Sequence, residues 1–270
     1  MGEGRDGARG KADVPALLAD LRAEGEQLDE LVAGVDDWRC ATPAPGWTIA
    51  HQIAHLAWTD EKSLLALSDR DAFQAEVERA AADVGGYVDG GAERGAARDR
   101  ADLLADWRAG REALAGALAA APEGTRVPWY GPPMGIASMI TARLMETWAH
   151  GQDVADALGV RREPADRLRH VARLGVRTRD FAYTAHGMAP PEEEFHVELT
   201  GPGGQVWDWG PKHAPDRITG PALDFCLVVT QRRHPDDTEL VASGAAEQWL
   251  GIAQAFAGPP GKGRARGELP

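Results

Sequence analysis

Glu146 and His150 stand four residues apart within residues 139–156, and Asp153 follows about one turn later. Residues at i and i+4 of a helix lie one above the other on one face. A helix here would therefore present a carboxylate and an imidazole to a single point. The pattern Glu-x-x-x-His is weak by itself, because many helices carry it by chance. A second stretch, residues 48–68, holds His51 and His55 at the same spacing. If the two helices face each other, His55, Glu146 and His150 supply three ligands for a divalent metal. Three protein ligands leave one position open to water or substrate, which is the arrangement of catalytic sites rather than structural ones.

His51 is either a further ligand or a group behind the ligands; a fourth protein ligand would close the site, so we place it outside. Asp153 suits a place behind the ligands, orienting a ligand imidazole. The competing reading is a hydrogen bond between His55 and Glu146, which would also satisfy two buried polar groups. Mixed imidazole and carboxylate ligation accepts zinc, and equally nickel, iron or manganese.

The elements that must position these groups follow from apolar periodicity. Leu17, Leu18, Leu21, Leu28, Leu31 and Val32 predict a helix over 14–35. In the second helix, capped by Thr48, the residues Ile49, Ile53, Leu56, Leu64 and Leu67 form one stripe, interrupted by Asp60. His51, His55, Trp58 and Lys62 form another stripe, so this helix should be covered on both sides. Residues 71–84 read as an Ala-rich helix, 85–95 as a mobile loop with five glycines, and 98–121 as a long helix. The segment 127–133, with three prolines beside Trp129 and Tyr130, reads as a wall over the site or as a packed cap on the bundle. The ligand helix should run over 138–158 and another over 166–185.

Past residue 190 the texture changes: Phe195, Val197 and Leu199 alternate with polar residues, as a strand requires. A returning strand at 205–209, a helix at 221–231, a short strand at 239–242 and a helix at 245–257 complete the chain. This gives a mainly α fold: a metal-binding helical bundle over 13–188 and a small α+β domain over 189–260. The polar, Gly-rich ends, 1–12 and 261–270, are expected to be disordered.

Composition narrows the function classes. The chain has 270 residues, 43% hydrophobic and 26% charged, and a formal net charge of −13. That charge, without a basic patch, speaks against nucleic acid. No apolar run approaches the ~20 residues of a membrane span, and no signal peptide is visible. The expectation is a cytoplasmic protein that meets a small-molecule substrate and neither nucleic acid nor membrane. Two cysteines, Cys40 and Cys226, are too few for a disulfide framework. His170, His186, His196, His213 and His234 have no ligand cluster and read as structural or solvated. No G-x-S-x-G occurs, and the glycines lack the strand–G-x-G-x-x-G–helix context of a dinucleotide site.

The run Pro45-Gly46-Trp47-Thr48-Ile49, then Ala54-His55-Leu56, then Glu146, His150 and Asp153, resembles the N-terminal domain of mycothiol-dependent maleylpyruvate isomerases. These belong to the wider DinB-like metal-binding bundles, and the likeness extends to an actinobacterial branch of them. Residues 127–133, 207–210 and 253–258 share in it. The resemblance implies a DinB-like four-helix bundle followed by a small α+β domain. It implies a divalent metal, usually Zn2+, on His55, Glu146 and His150; His51, Trp58, Trp129, Tyr130 and Asp153 are, on our reading of the residues, the candidates to stand behind it or around the substrate. It also implies mycothiol as a thiol cofactor, used in transfer to, or isomerisation of, a small electrophile. Arg232 and Arg233 are candidates for the isomerases' arginine. The alternative is a non-catalytic metal-binding or ligand-sensing module on the same bundle.

Overall fold

The apolar periods of the first half build helices. The computed structural model describes residues 13–268, so the disorder expected of residues 1–12 lies outside the described residues. Helix α1 (Val14–Ala33) starts at Asp13, whose carboxylate accepts the Ala16 amide at 3.1 Å. It is followed by α2 (Ile49–Ser68), α3 (Arg70–Ala82), α4 (Val84–Ala96) and α5 (Arg100–Ala120). A short antiparallel pair, β1 (Arg126–Val127) and β2 (Met134–Gly135), leads into α6 (Ile136–Ala157). Then come α7 (Leu168–Arg177), α8 (Arg179–Ala185), β3 (His196–Thr200), β4 (Val206–Trp209), β5 (Arg217–Pro221), α9 (Ala222–Val229), β6 (Val241–Ala242) and α10 (Ala245–Leu250).

Helices α1, α2, α5 and α6 share one core, in which Leu28, Val32, Ile53, Leu56, Trp107 and Val154 are all but fully buried. Burying a Leu or Ile side chain contributes about 1.5–3 kcal/mol, so this contact fixes how α2 faces α6. A different stripe of α6, Leu144, Met145 and Trp148, packs into a second core with α7, α9, α10 and the sheet. The sheet has strand order β4-β3-β5-β6, with β3 and β5 parallel and the outer pairings antiparallel. Helix α6 is thus covered on both sides, and polar side chains between its two stripes must find partners inside the protein. The chain is mainly helical with a small sheet, the fold class read from the sequence. Among the described residues, no helix is long and apolar enough to cross a membrane.

Four local expectations are corrected. Residues 85–95 are not a loop but most of α4. Its glycines are contact points rather than breakers: a Cβ at Gly91 would fall 2.9 Å from the Trp58 ring, and one at Gly95 would fall 2.6 Å from the Ala54 Cβ. Four residues apart, they form a smooth strip that lets α4 lie against α2. The predicted helix 166–185 is divided at Thr178, whose hydroxyl turns back to the Leu174 and Gly175 carbonyls. The last helix stops at Leu250, and the strand β5 had no alternating pattern to announce it. Finally, the tail expected to be disordered is tied to the protein through residue 268, and Arg264 within it is buried.

Candidate metal centre

His55 on α2 and Glu146 and His150 on α6 come together. One ligand atom from each lies within 4.8 Å of the others. The two imidazole rings are 4.5 Å apart between centroids and converge on one carboxylate oxygen. His150 Nε2 is 3.2 Å from Glu146 Oε2, and His55 Nε2 is 3.5 Å from the same atom. Both histidines are 8% exposed.

The protons of this site can be placed by following its hydrogen bonds outward. The Trp47 carbonyl can only accept, so the Thr42 hydroxyl donates to it, at 2.9 Å. Thr42 Oγ1 therefore accepts from the Gln52 amide nitrogen at 2.8 Å. That orients Gln52 Oε1 towards His150 Nδ1, 2.5 Å away. An amide oxygen only accepts, so His150 carries its proton on Nδ1 and turns the bare lone pair of Nε2 towards Glu146. Burial, and the His55 imidazole beside it, lower the pKa of His150 to about 4 against the pull of Glu146; Arg232 adds to the lowering. With the proton of His150 on Nδ1, its Nε2 lone pair and the Glu146 carboxylate face each other across 3.2 Å. A cation fits there. His55 Nδ1, buried and without a hydrogen-bond partner among the described residues, marks the same site as incompletely satisfied.

Trp47 covers this group. Its ring stacks on His150 at 5.9 Å and sits 5.3 Å from His55. A tight turn brings it there: Gly46 has φ +78°, and the Trp47 amide bonds back to the Ala44 carbonyl at 3.0 Å. A side chain at residue 46 would be strained in that conformation.

The remaining candidates are placed differently. His51 is turned away: Nδ1 accepts the Thr48 amide at 3.2 Å and Nε2 meets Glu93 at 2.8 Å. Trp58 lies 6.2 Å from His55 and edge-on to Tyr87 at 5.2 Å. Tyr130 reaches Tyr87, hydroxyl to hydroxyl, at 3.2 Å, and Trp129 stacks on Phe73 at 5.7 Å. These two aromatics are thus separated from the imidazoles by Trp58 and Tyr87. Lys62 is buried, with its ammonium 3.1 Å from Glu61 and 3.5 Å from Glu76.

Asp153 does not orient His150, as the spacing had suggested. Three residues on from His150, it points towards the C-terminal segments and holds Arg232 and Arg264. Gln52 takes the orienting part instead. Sequence reasoning passed over it because it treated only the histidines of α2 as chemistry. The available signal was a glutamine between Ile49 and Ile53, on the stripe meant for the core.

Comparison with known proteins adds a family to this geometry. The family model described as the mycothiol maleylpyruvate isomerase N-terminal domain matches residues 21–155. A second, described as wyosine base formation, matches residues 191–243. Uncharacterised proteins from two strains of Mycobacterium tuberculosis, CDC 1551 / Oshkosh and H37Rv, are each 55% identical over 256 residues, 94% of this chain and 100% of theirs. The crystal structure of the mycothiol-dependent maleylpyruvate isomerase shares the fold at 17% identity, with a TM-score of 0.57 over 85% of this chain and 92% of that one. A histidine-to-alanine mutant of that isomerase gives the same TM-score at 16% identity.

Proposed function

We infer the function from a shared ancestry and one local geometry: the chain belongs to the mycothiol maleylpyruvate isomerase N-terminal domain family. We propose that it is a metal-dependent enzyme that brings a thiol cosubstrate, mycothiol, to a small electrophile, in transfer or isomerisation. The observation that carries the metal is the bare Nε2 of His150 facing the Glu146 carboxylate at 3.2 Å. The thiol rests on the family and on the chemistry of such a site.

His55, Glu146 and His150 would hold the ion, and zinc suits this donor set. A divalent metal in that place lowers the pKa of a thiol that reaches it, so the nucleophile is available near neutral pH. The chain's own residues do the rest. Gln52 keeps the proton of His150 on Nδ1, so Nε2 stays free to ligate. Trp47 covers both imidazoles and excludes water from one side. A protein of net charge −13 must provide positive charge locally for any anionic substrate.

The test is spectroscopic. Cobalt-substituted protein should develop a sulfur-to-cobalt charge-transfer band when mycothiol is added, and metal-free protein should show none. An unchanged cobalt spectrum at saturating mycothiol would leave the non-catalytic metal-binding module as the better account. One observation already favours that module: the Arg232 guanidinium is engaged by Asp153 and by the Thr230 carbonyl rather than held free for a substrate.

A further inference from the structure

From Gly258 to Glu268 every residue is exposed except Arg264, which is 8% exposed. A Gly-rich tail anchored by one buried cation invites the question of what that cation does. Its Nη2 donates to Asp153 Oδ1 at 2.9 Å, and its Nη1 lies 2.6 Å from Asp156 Oδ2. The other oxygen of Asp153 accepts from Arg232, Nη2 at 2.8 Å and Nε at 3.2 Å. One buried carboxylate on α6, three residues from His150, therefore joins two guanidinium groups from distant parts of the chain.

Arg232 reaches this place by a strained route. Gln231 has φ +62° and is, among the described residues, the non-glycine in the left-handed region. The turn ends α9: the Gln231 amide bonds to the Val228 carbonyl at 2.9 Å and the Arg232 amide to the Leu227 carbonyl at 2.7 Å. Glycine is the usual residue at such a helix end. The glutamine side chain has a partner that a glycine could not meet, namely the tail. A Cβ at Gly261 would fall 2.2 Å from Gln231 Oε1, and one at Gly263 would fall 3.8 Å from the Gln231 Cβ. The tail thus crosses directly over Gln231 at two glycines. Beyond Arg264 it is fastened again, by Arg266 to Asp236 at 3.3 Å and by the Gly267 amide to Asp237 at 2.7 Å.

We infer that the C-terminal segment supplies a positioning residue: Arg264 fixes Asp153, three residues along α6 from His150, and through it the Arg232 guanidinium. Arg264 holds Oδ1 and leaves Oδ2 in a set orientation, so the fork of Arg232 meets a fixed acceptor. Arg264 also balances charge: Asp153 and Asp156 face two guanidinium groups with it and one without it. Buried charge without a partner is costly, so a site lacking Arg264 would draw Arg232 out of register. What Arg232 then serves rests on the thiol reading above; its positioning does not.

The experiment uses the full-length, metal-free protein labelled with 15N. Exchange of the Arg232 Nε proton with water reports how firmly that guanidinium is held. In Arg264→Gln the exchange should speed up by at least about tenfold. Arg264→Lys keeps the charge but loses the two-way fork, so it should fall between the two. Cobalt affinity should stay within about twofold in both, because Arg264 touches no ligand. Unchanged Arg232 exchange in Arg264→Gln, with trypsin now cutting the tail, would overturn the proposal and leave Arg264 as a mere anchor. So would a tenfold or larger loss of cobalt affinity, which would make Arg264 a support of the ligands themselves. If Arg264→Gln does not fold, Arg264→Lys decides by the same two measurements. A missing mycothiol band would defeat the thiol reading and leave this result standing.

Discussion

Two kinds of buried charge lie along one stripe of α6. Arg143, Glu146, His150 and Asp153 follow each other at helical spacing and all face inward or nearly so. At both ends of the stripe the protein answers its own charges. Asp60 takes the Nε of Arg143 at 2.9 Å, and Asp153 takes Arg232 and Arg264. In the middle it does not: Glu146 faces two imidazoles, of which His150 has its proton turned away. The ends are closed by guanidinium groups, which never lose their charge. The centre is built from groups that supply lone pairs. The difference sets a closed network apart from an open one on a single helix, since a charge left unanswered in a dry place is tolerated where something from outside is to answer it.

The largest effect expected from this contrast is at the centre. Purified protein should carry a stoichiometric divalent ion, and His150→Ala should lose it, by more than the roughly 10–100-fold that removal of an outer partner costs. Elemental analysis of the wild type beside a His55→Ala/His150→Ala double variant is the check. Equal metal in both would erase the distinction between centre and ends.

At the closed end, Arg143→Met should cost about 3–5 kcal/mol of stability at neutral pH, because it leaves Asp60 buried without its cation. Burial already raises the Asp60 pKa, against the opposing charges of Arg143 and His55. A carboxyl whose folded pKa lies above its unfolded value binds its proton more tightly when folded. This contribution to stability is therefore complete below the unfolded pKa and is lost as pH rises through the folded pKa. The deficit of Arg143→Met should shrink as pH falls from neutrality in denaturant titrations. A deficit independent of pH would mean that Asp60 is not the charge being exposed.

Gln52→Leu sharpens the comparison more gently. It removes the acceptor of the His150 proton while keeping an apolar side chain in a fully buried position. Metal affinity should fall about 10–100-fold with the fold retained. Unchanged affinity would show that His150 holds its tautomer without help.

How far the sequence announced this site is clearest residue by residue. His55, Glu146 and His150 were legible because two helical periods, each read from apolar residues, put them on facing stripes. Gln52 was not, because an amide has no reputation as a ligand and its part depends on Thr42 and the His150 of α6 meeting it in the fold. Trp47 stood in a familiar run, but a turn through Gly46 decides that its ring covers the imidazoles, and the sequence does not state turn direction. Helix α4 was missed because glycines were counted as breakers when Gly91 and Gly95 were spacers. Arg264 was hidden by its neighbours: composition describes a segment, whereas one buried side chain can anchor it.

The smallest effect should come from His51, the histidine that resembles a ligand most and is used least. Its Nδ1 accepts the Thr48 amide at the start of α2, and its Nε2 pairs with Glu93, a side chain 74% exposed. A surface pair of that kind is worth about 0–1 kcal/mol, and a capping contact is worth about 1 kcal/mol. His51→Gln can still reach back to the Thr48 amide, as glutamine does at the third position of many helices. It should unfold within about 1 kcal/mol of the wild type and keep its full complement of metal. His51→Ala loses the cap and should be the less stable of the two, again with metal retained. The pair of variants thus separates helix capping from ligation, because capping follows the side chain's reach and ligation follows the imidazole. Loss of metal in His51→Gln would bring His51 into the ligand set and close the fourth position, and a thiol could then no longer be expected to enter there.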